Sequence, residues 1–207
     1  MKNDNLILEG VLKNKIQTLF DDFISSHKMK IKLSFVAPHG YETSYGTFDI
    51  CKKTLFINFD YIKDKPEYEI IYILFHELRH AEQYIFPKSF SAQIQKSIYY
   101  VVLYDGTCYK LMGENWSKCK LKINDCDFMQ VYKSLPYEID ANKFAYKETQ
   151  KLFNNKNEIK MIYLKTLSPR KMKYKGLQKI FDLIDSEFGN SAISSRHQAS
   201  TSVHLGK

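Results

Sequence analysis

His76 and His80 stand four residues apart in the stretch His76-Glu77-Leu78-Arg79-His80, with Glu77 directly after the first histidine. On a helix, side chains four apart share a face, so the two imidazoles can converge on one ion. Zinc accepts neutral imidazole at about 2.0–2.1 Å, and a catalytic zinc site takes three protein ligands plus water. Glu77, one step round the helix, is then placed to take a proton from that water rather than to bind the metal. The pattern predicts a zinc-dependent metallopeptidase with one Zn2+ per chain and Glu77 as catalytic base. The competing reading is a chance pair of histidines on an ordinary helix.

Helical phasing separates the two readings. At 100° per residue from His76, His80 falls at about 40°, whereas Ile70, Ile71, Leu74, Leu78, Ala81 and Ile85 fall between about 120° and 220°. The helix therefore buries one stripe and turns both histidines to another side, flanked by Tyr72, Ile73 and Tyr84. A polar pair framed by apolar residues suits the wall of a cleft.

Two histidines need a third ligand. Glu82 falls at about 240° on the same helix, away from the histidines, and His39 sits in a loop ahead of a hairpin. His197 and His204 belong to a Ser/Thr-rich tail. A later helix, beginning Pro136-Tyr137-Glu138-Ile139-Asp140, offers two acids. Glu138 shares its side with Ile139, Ala141, Asn142, Ala145, Leu152 and Phe153, while Asp140 falls about 200° away, beside Lys143, Lys147 and Lys151. Glu138 thus points into the apolar stripe and Asp140 into solvent. A carboxylate facing a core is costly unless paired or bound to metal, so Glu138 is the expected third ligand. The alternative is a buried ion pair of Glu138 with a basic residue such as Arg79. Asn142, one turn on, could orient a ligand.

His76-Glu77-Leu78-Arg79-His80 followed by Glu138-x-x-Ala141-Asn142-x-Phe144-Ala145 resembles the ImmA/IrrE-type metallopeptidases of bacteria, their phages and mobile elements. The resemblance implies a zincin-like fold, with a small mixed sheet packed on the motif helix and Glu138 as third zinc ligand. It covers roughly residues 30–153, including a strand pair at 46–59 that looks like the zincin edge hairpin. Two departures stand out: Arg79 occupies the place where family members usually have Gly, and the gap to the acid is 138 − 80 = 58 residues, longer than usual. No helix-turn-helix unit is evident, and the family's repressor-cleaving role is not carried over.

The elements that must position these residues read in order. Residues 6–27 have helical periodicity, 30–37 alternate as a half-buried strand, and 46–50 with 54–59 form a hairpin through Cys51-Lys52-Lys53. Asp64 and Pro66-Glu67 start the motif helix, which runs to about Ile85 before Pro87. A helical stretch at 89–97 leads to a second hairpin, 98–104 and 107–112, turned by Asp105-Gly106. Residues 113–128 read as irregular, Pro136 starts a helix to about Phe153, and a last amphipathic helix covers 177–188. There is no internal repeat. This order predicts an α+β fold. The expected organisation is one domain over 1–188, with a core at 30–153, a basic helical part at 156–188 and a flexible tail at 189–207.

Composition bounds the rest. At 207 residues the chain can bury a substantial core, and no apolar run is long enough to span a membrane. Its start carries no secretory signal, which predicts a cytoplasmic protein. Cys51, Cys108, Cys119 and Cys126 lack Cys-x-x-Cys or zinc-finger spacing and read as reduced thiols. The net charge of +8 concentrates in one window: Lys156, Lys160, Lys165, Arg170, Lys171, Lys173, Lys175 and Lys179 stand against Glu158 alone. That strip carries the alternative function, a nucleic-acid-binding or regulatory protein whose zinc is structural or whose zincin is inactive. No nucleic-acid motif accompanies it, so the expected partner is a protein or peptide substrate. Tyr132, Tyr137 and His39 are candidates for stabilising the oxyanion, none of them singled out.

Overall fold

The computed structural model describes residues 2–200 apart from Glu114 and Asp125, with side chains described between residues 7 and 189. In chain order the described elements are α1 (Lys2–Ser26), β1 (Lys32–Ser34), β2 (Gly46–Asp49), β3 (Thr54–Ile57), α2 (Phe59–Ile62), α3 (Glu67–Ile85), α4 (Ala92–Ser97), β4 (Tyr100–Val102), β5 (Thr107–Met112), β6 (Asn115–Lys120), α5 (Phe128–Ser134), α6 (Pro136–Leu152), α7 (Asn157–Thr166) and α8 (Tyr174–Ser200). The fold is α+β. The chain divides into two compact units, Met1–Ile98 with Pro136–Ser168, and Tyr99–Leu135 with Pro169–Lys207.

In the first unit, β1, β3 and β2 lie side by side in that order. β3 pairs parallel with β1 (Leu33 opposite Leu55) and antiparallel with β2 (Phe48 opposite Leu55), so the sheet is mixed and β2 is an edge. Alternation along β3 buries Leu55 and Ile57 completely. The β2–β3 turn is closed by Asp49, whose Oδ1 accepts from the amides of Cys51 (3.0 Å) and Lys52 (2.9 Å).

Helix α3 is the centre of this unit. Glu67 and Glu69 sit in its first turn, where they favour the positive end of the helix dipole, and it stops at Phe86, ahead of Pro87. Ile70, Ile71, Leu74, Leu78 and Ala81 are fully buried with Ile16 and Phe20 of α1, Leu55 and Ile57 of β3, Ala145 of α6 and Ile159 of α7. Each fully buried leucine or isoleucine among them contributes about 1.5–3 kcal/mol. Tyr72, Ile73 and Phe75 are buried too, so the apolar belt exceeds the stripe that phasing drew. Tyr72 ties α3 to α6, its hydroxyl donating to the Asn142 carbonyl at 3.0 Å.

In the second unit, β4, β5 and β6 form an antiparallel meander. Gly106 makes its first turn with φ +80°, and an added Cβ would stand 2.7 Å from the Phe128 ring, so conformation and space both require glycine. Residues 113–128, expected to be irregular, contain β6 and the cap of α5, where Asp127 accepts from the Gln130 amide. Phe181 of α8 stacks on Tyr100 with ring centroids 4.3 Å apart, and Tyr100 donates to Asp185. α8 starts before the expected residue 177 and continues through Ser200, past Gly189; residues 201–207, the remainder of the expected tail, lie outside the described residues. The basic window holds α7 and the start of α8 and is divided between the two units. No helix among the described residues is long and apolar enough to cross a membrane.

Candidate metal centre

All the residues of the centre belong to the first unit. α3 supplies His76, Glu77 and His80, and the first turn of α6 supplies Glu138. Pro136, with its ring-fixed φ, opens α6, and Glu138 stands two residues on in the first turn, near the positive end of the helix dipole. His76 Nε2 and His80 Nε2 are 2.9 Å apart. Glu138 Oε2 is 3.4 Å from the first and Glu138 Oε1 is 3.6 Å from the second. These three side chains form a group that could hold a metal ion.

The arrangement is buried, with His80 8% and Glu138 6% exposed. Two imidazole nitrogens at 2.9 Å cannot face each other with lone pairs alone; a proton or a cation must lie between them. Glu138 Oε2 and His76 Nδ1 are buried without a hydrogen-bond partner. A carboxylate oxygen withdrawn from water and left unbonded is costly, and a cation satisfies it.

The electrostatics agree. Burial opposes ionisation of Glu138, yet the His80 and His76 imidazoles hold its carboxyl well below the ordinary carboxylate range. Burial also opposes a charge on His80, but the Glu138 carboxylate overrides it and raises the imidazole to about 9. Glu77 behaves differently. Burial raises its pKa, the two imidazoles pull it back, and Glu138 adds to the rise. Two carboxyl groups on one site are thus pushed in opposite directions, one toward a permanent anion and one toward a proton carrier.

Glu77 is 9% exposed and lies against β2. A Cβ built on Gly46 would meet Glu77 Cγ at 2.8 Å, so the backbone of the edge strand passes directly beside this carboxylate. Tyr84 and Tyr137 border the centre. Burial, then the charges of Glu138 and Glu77, raises the Tyr84 phenol, and burial with Glu138 raises that of Tyr137, so both stay protonated. The Tyr137 ring packs edge-on against His80 with centroids 5.4 Å apart.

The other sequence candidates fall elsewhere. His39 is exposed and bonded to Glu42. Glu82 accepts from Arg79 at 2.7 Å. Tyr132 lies in the second unit. His197 and His204 lie outside the residues whose side chains are described. Asp140, expected in solvent, is half-buried: Arg79 Nε donates to its Oδ2 at 2.7 Å and Nη2 to its Oδ1 at 3.3 Å. Helical phase placed Asp140 opposite Glu138 correctly but ignored the long Arg79 side chain crossing from α3 to meet it. The guanidinium that the alternative reading paired with Glu138 is instead committed to Asp140 and Glu82. Asn142 bonds the Glu138 backbone carbonyl (2.9 Å) and orients no ligand side chain directly.

Sequence reasoning passed over Gly46 and Gln83. Gln83 is fully buried, three residues after His80, and its Oε1 lies 2.9 Å from His80 Nδ1. That i,i+3 spacing was the available signal. No protein-family model, no curated protein and no solved structure matches the chain.

Proposed function

We propose that this chain is a zinc-dependent peptidase of zincin-like architecture, as its resemblance to the ImmA/IrrE-type metallopeptidases implies. The observation that carries the reading is the spacing of three donors. Tetrahedral bonds of about 2.0–2.1 Å separate neighbouring ligand atoms by about 3.3 Å. Here the imidazole nitrogens are 2.9 Å apart, His76 Nε2 is 3.4 Å from Glu138 Oε2 and His80 Nε2 is 3.6 Å from Glu138 Oε1, so each imidazole faces one oxygen of the carboxylate. Two neutral nitrogens and an anionic oxygen are the donor set that zinc prefers over the oxygen-seeking magnesium or calcium. His76, His80 and Glu138 would hold the ion, with the fourth position left to water or substrate.

Zinc, when bound, supplies Lewis acidity that acidifies a water and polarises a peptide carbonyl. The chain's own groups do the remaining work. Glu77 accepts the proton of the attacking water and delivers it to the leaving amine, and the burial that raises its pKa suits it to carrying a proton both ways. β2 is the edge of its sheet and starts at Gly46 beside Glu77, so an extended peptide adding as a further strand would run past the carboxylate.

Metal analysis of the purified chain and of Glu77→Gln tests the reading. Stoichiometric zinc in both, with peptide hydrolysis in the wild type reduced about 10²–10⁴-fold in the variant, is the expected result. A wild type without zinc, or turnover indifferent to Glu77→Gln, sinks it. Salt-sensitive nucleic-acid binding unchanged in that variant would favour the basic strip as the functional element instead.

A further inference from the structure

The hydrogen bonds behind His80 run in one direction only. The Gln83 amide nitrogen donates to the Tyr137 carbonyl at 3.0 Å and to Asp140 Oδ2 at 2.9 Å. Both partners are oxygen acceptors, and Asp140 is held in that role by two bonds from Arg79, whose guanidinium has donors alone. Turning the amide over would set its oxygen against two other oxygens in a buried place. Gln83 therefore must present Oε1 to His80 Nδ1, 2.9 Å away. An oxygen acceptor there requires that Nδ1 carry the hydrogen. In the neutral ring Nε2 is then bare, and Nε2 is the atom that faces His76 and Glu138.

We propose that Gln83 is the positioning residue of the metal centre, fixing His80 in the Nδ1-protonated tautomer so that Nε2 is the metal-binding nitrogen. The inference rests on the metal reading above. The relay runs Arg79, Asp140, Gln83, His80, and each member fixes the donor or acceptor role of the next. His76 has no such support: its Nδ1 is buried without a partner. The two histidines are thus unequal, with His80 locked in tautomer and ring angle and His76 set by packing.

The test uses the full chain and zinc itself, with affinity read by competition against a chelator in the wild type and in Gln83→Met, and with circular dichroism to show that the variant is folded. Gln83→Met keeps the volume and removes the acceptor. The expected result is zinc binding weakened about 10–100-fold in folded Gln83→Met. Nitrogen-15 spectra of the zinc-loaded wild type, which do not depend on any variant folding, should show the His80 ring proton on Nδ1. Equal affinity of wild type and Gln83→Met, or a His80 proton on Nε2, would each overturn the proposal. A wild type that takes up no zinc would instead remove the metal reading on which it rests.

Discussion

Gly46 leaves no room for a side chain against Glu77. A Cβ there would lie 2.8 Å from Glu77 Cγ and 3.0 Å from the Phe56 carbonyl oxygen, and only the glutamate side chain can yield. Gly46→Ala should therefore displace the Glu77 carboxylate, the proposed base, while sparing His76, His80 and Glu138. The expected outcome is a fall in kcat of about 10–100-fold with zinc content unchanged, since small misplacements of a reacting group are costly. Full activity in this variant would mean that Glu77 does not act from its present position.

Glu138 should be as necessary for the metal as either histidine. Glu138→Gln keeps shape but removes the anion, and His76→Ala removes a nitrogen donor. Both should emerge from purification with little or no zinc, while Lys147→Ala, on the exposed side of the same helix, should retain it. Zinc retained at wild-type affinity in Glu138→Gln would place the third ligand elsewhere.

The metal-free protein should lose stability as pH rises. His80 is raised from 6.5 to about 9, so its contribution is complete below about pH 6.5 and vanishes as pH climbs through about 9. Glu77, raised from 4.5, works in the same direction. Glu138, lowered from 4.5, contributes above that value and loses its contribution as pH falls. Chelator-treated protein is thus expected to unfold more easily at pH 9 than at pH 7, and added zinc, which needs unprotonated imidazole, should abolish that decline. Thermal unfolding at the two pH values with and without zinc reads both effects. A metal-free midpoint that rises between pH 7 and 9 would contradict the assigned charges.

Arg79 is a clamp between α3 and α6. Its guanidinium pairs with Asp140 and Glu82 and lies over the rings of Phe90 and Phe144, 4.5 and 4.8 Å from their centroids. Arg79→Met leaves two acids without their cation in a mostly buried place, and a loss of about 2–4 kcal/mol is expected in urea unfolding. A loss under about 0.5 kcal/mol would put the pair in the class of exposed ion pairs.

Periodicity in the sequence reached the two helices that carry the donors because both are amphipathic over many turns, and strong periodicity survives any tertiary context. It drew the buried stripe of α3 and set Glu138 on the inner side of α6. What it missed depends on neighbours. Asp140 looked solvent-facing because a helical wheel knows nothing of Arg79 on another helix. Gln83 drew no reading, because a helical wheel shows neither its burial nor the three oriented bonds that satisfy it. β6 escaped notice because Asn115, Ser117, Lys118 and Lys120 give it no apolar alternation, and its pairing with β5 supplies what the local sequence does not. Gly46 reads as an ordinary strand residue until the α3 side chain that fills its missing Cβ is seen.

Chain order gives the centre a further property. The chain leaves the first unit after Ile98, returns at Pro136 and delivers Glu138 two residues later, so an ion joining His80 to Glu138 would close a ring of about 58 residues (138 − 80). As a cross-link such an ion would restrict the unfolded chain much as a disulfide does, by about 4 kcal/mol on the chain-entropy account. Ring entropy changes slowly with size, by about 0.6 kcal/mol for each doubling. The length of the excursion between Ile98 and Pro136 therefore weighs little in this ring term, whereas its content is fixed by the packing of the second unit, where Tyr100 and Val102 are buried.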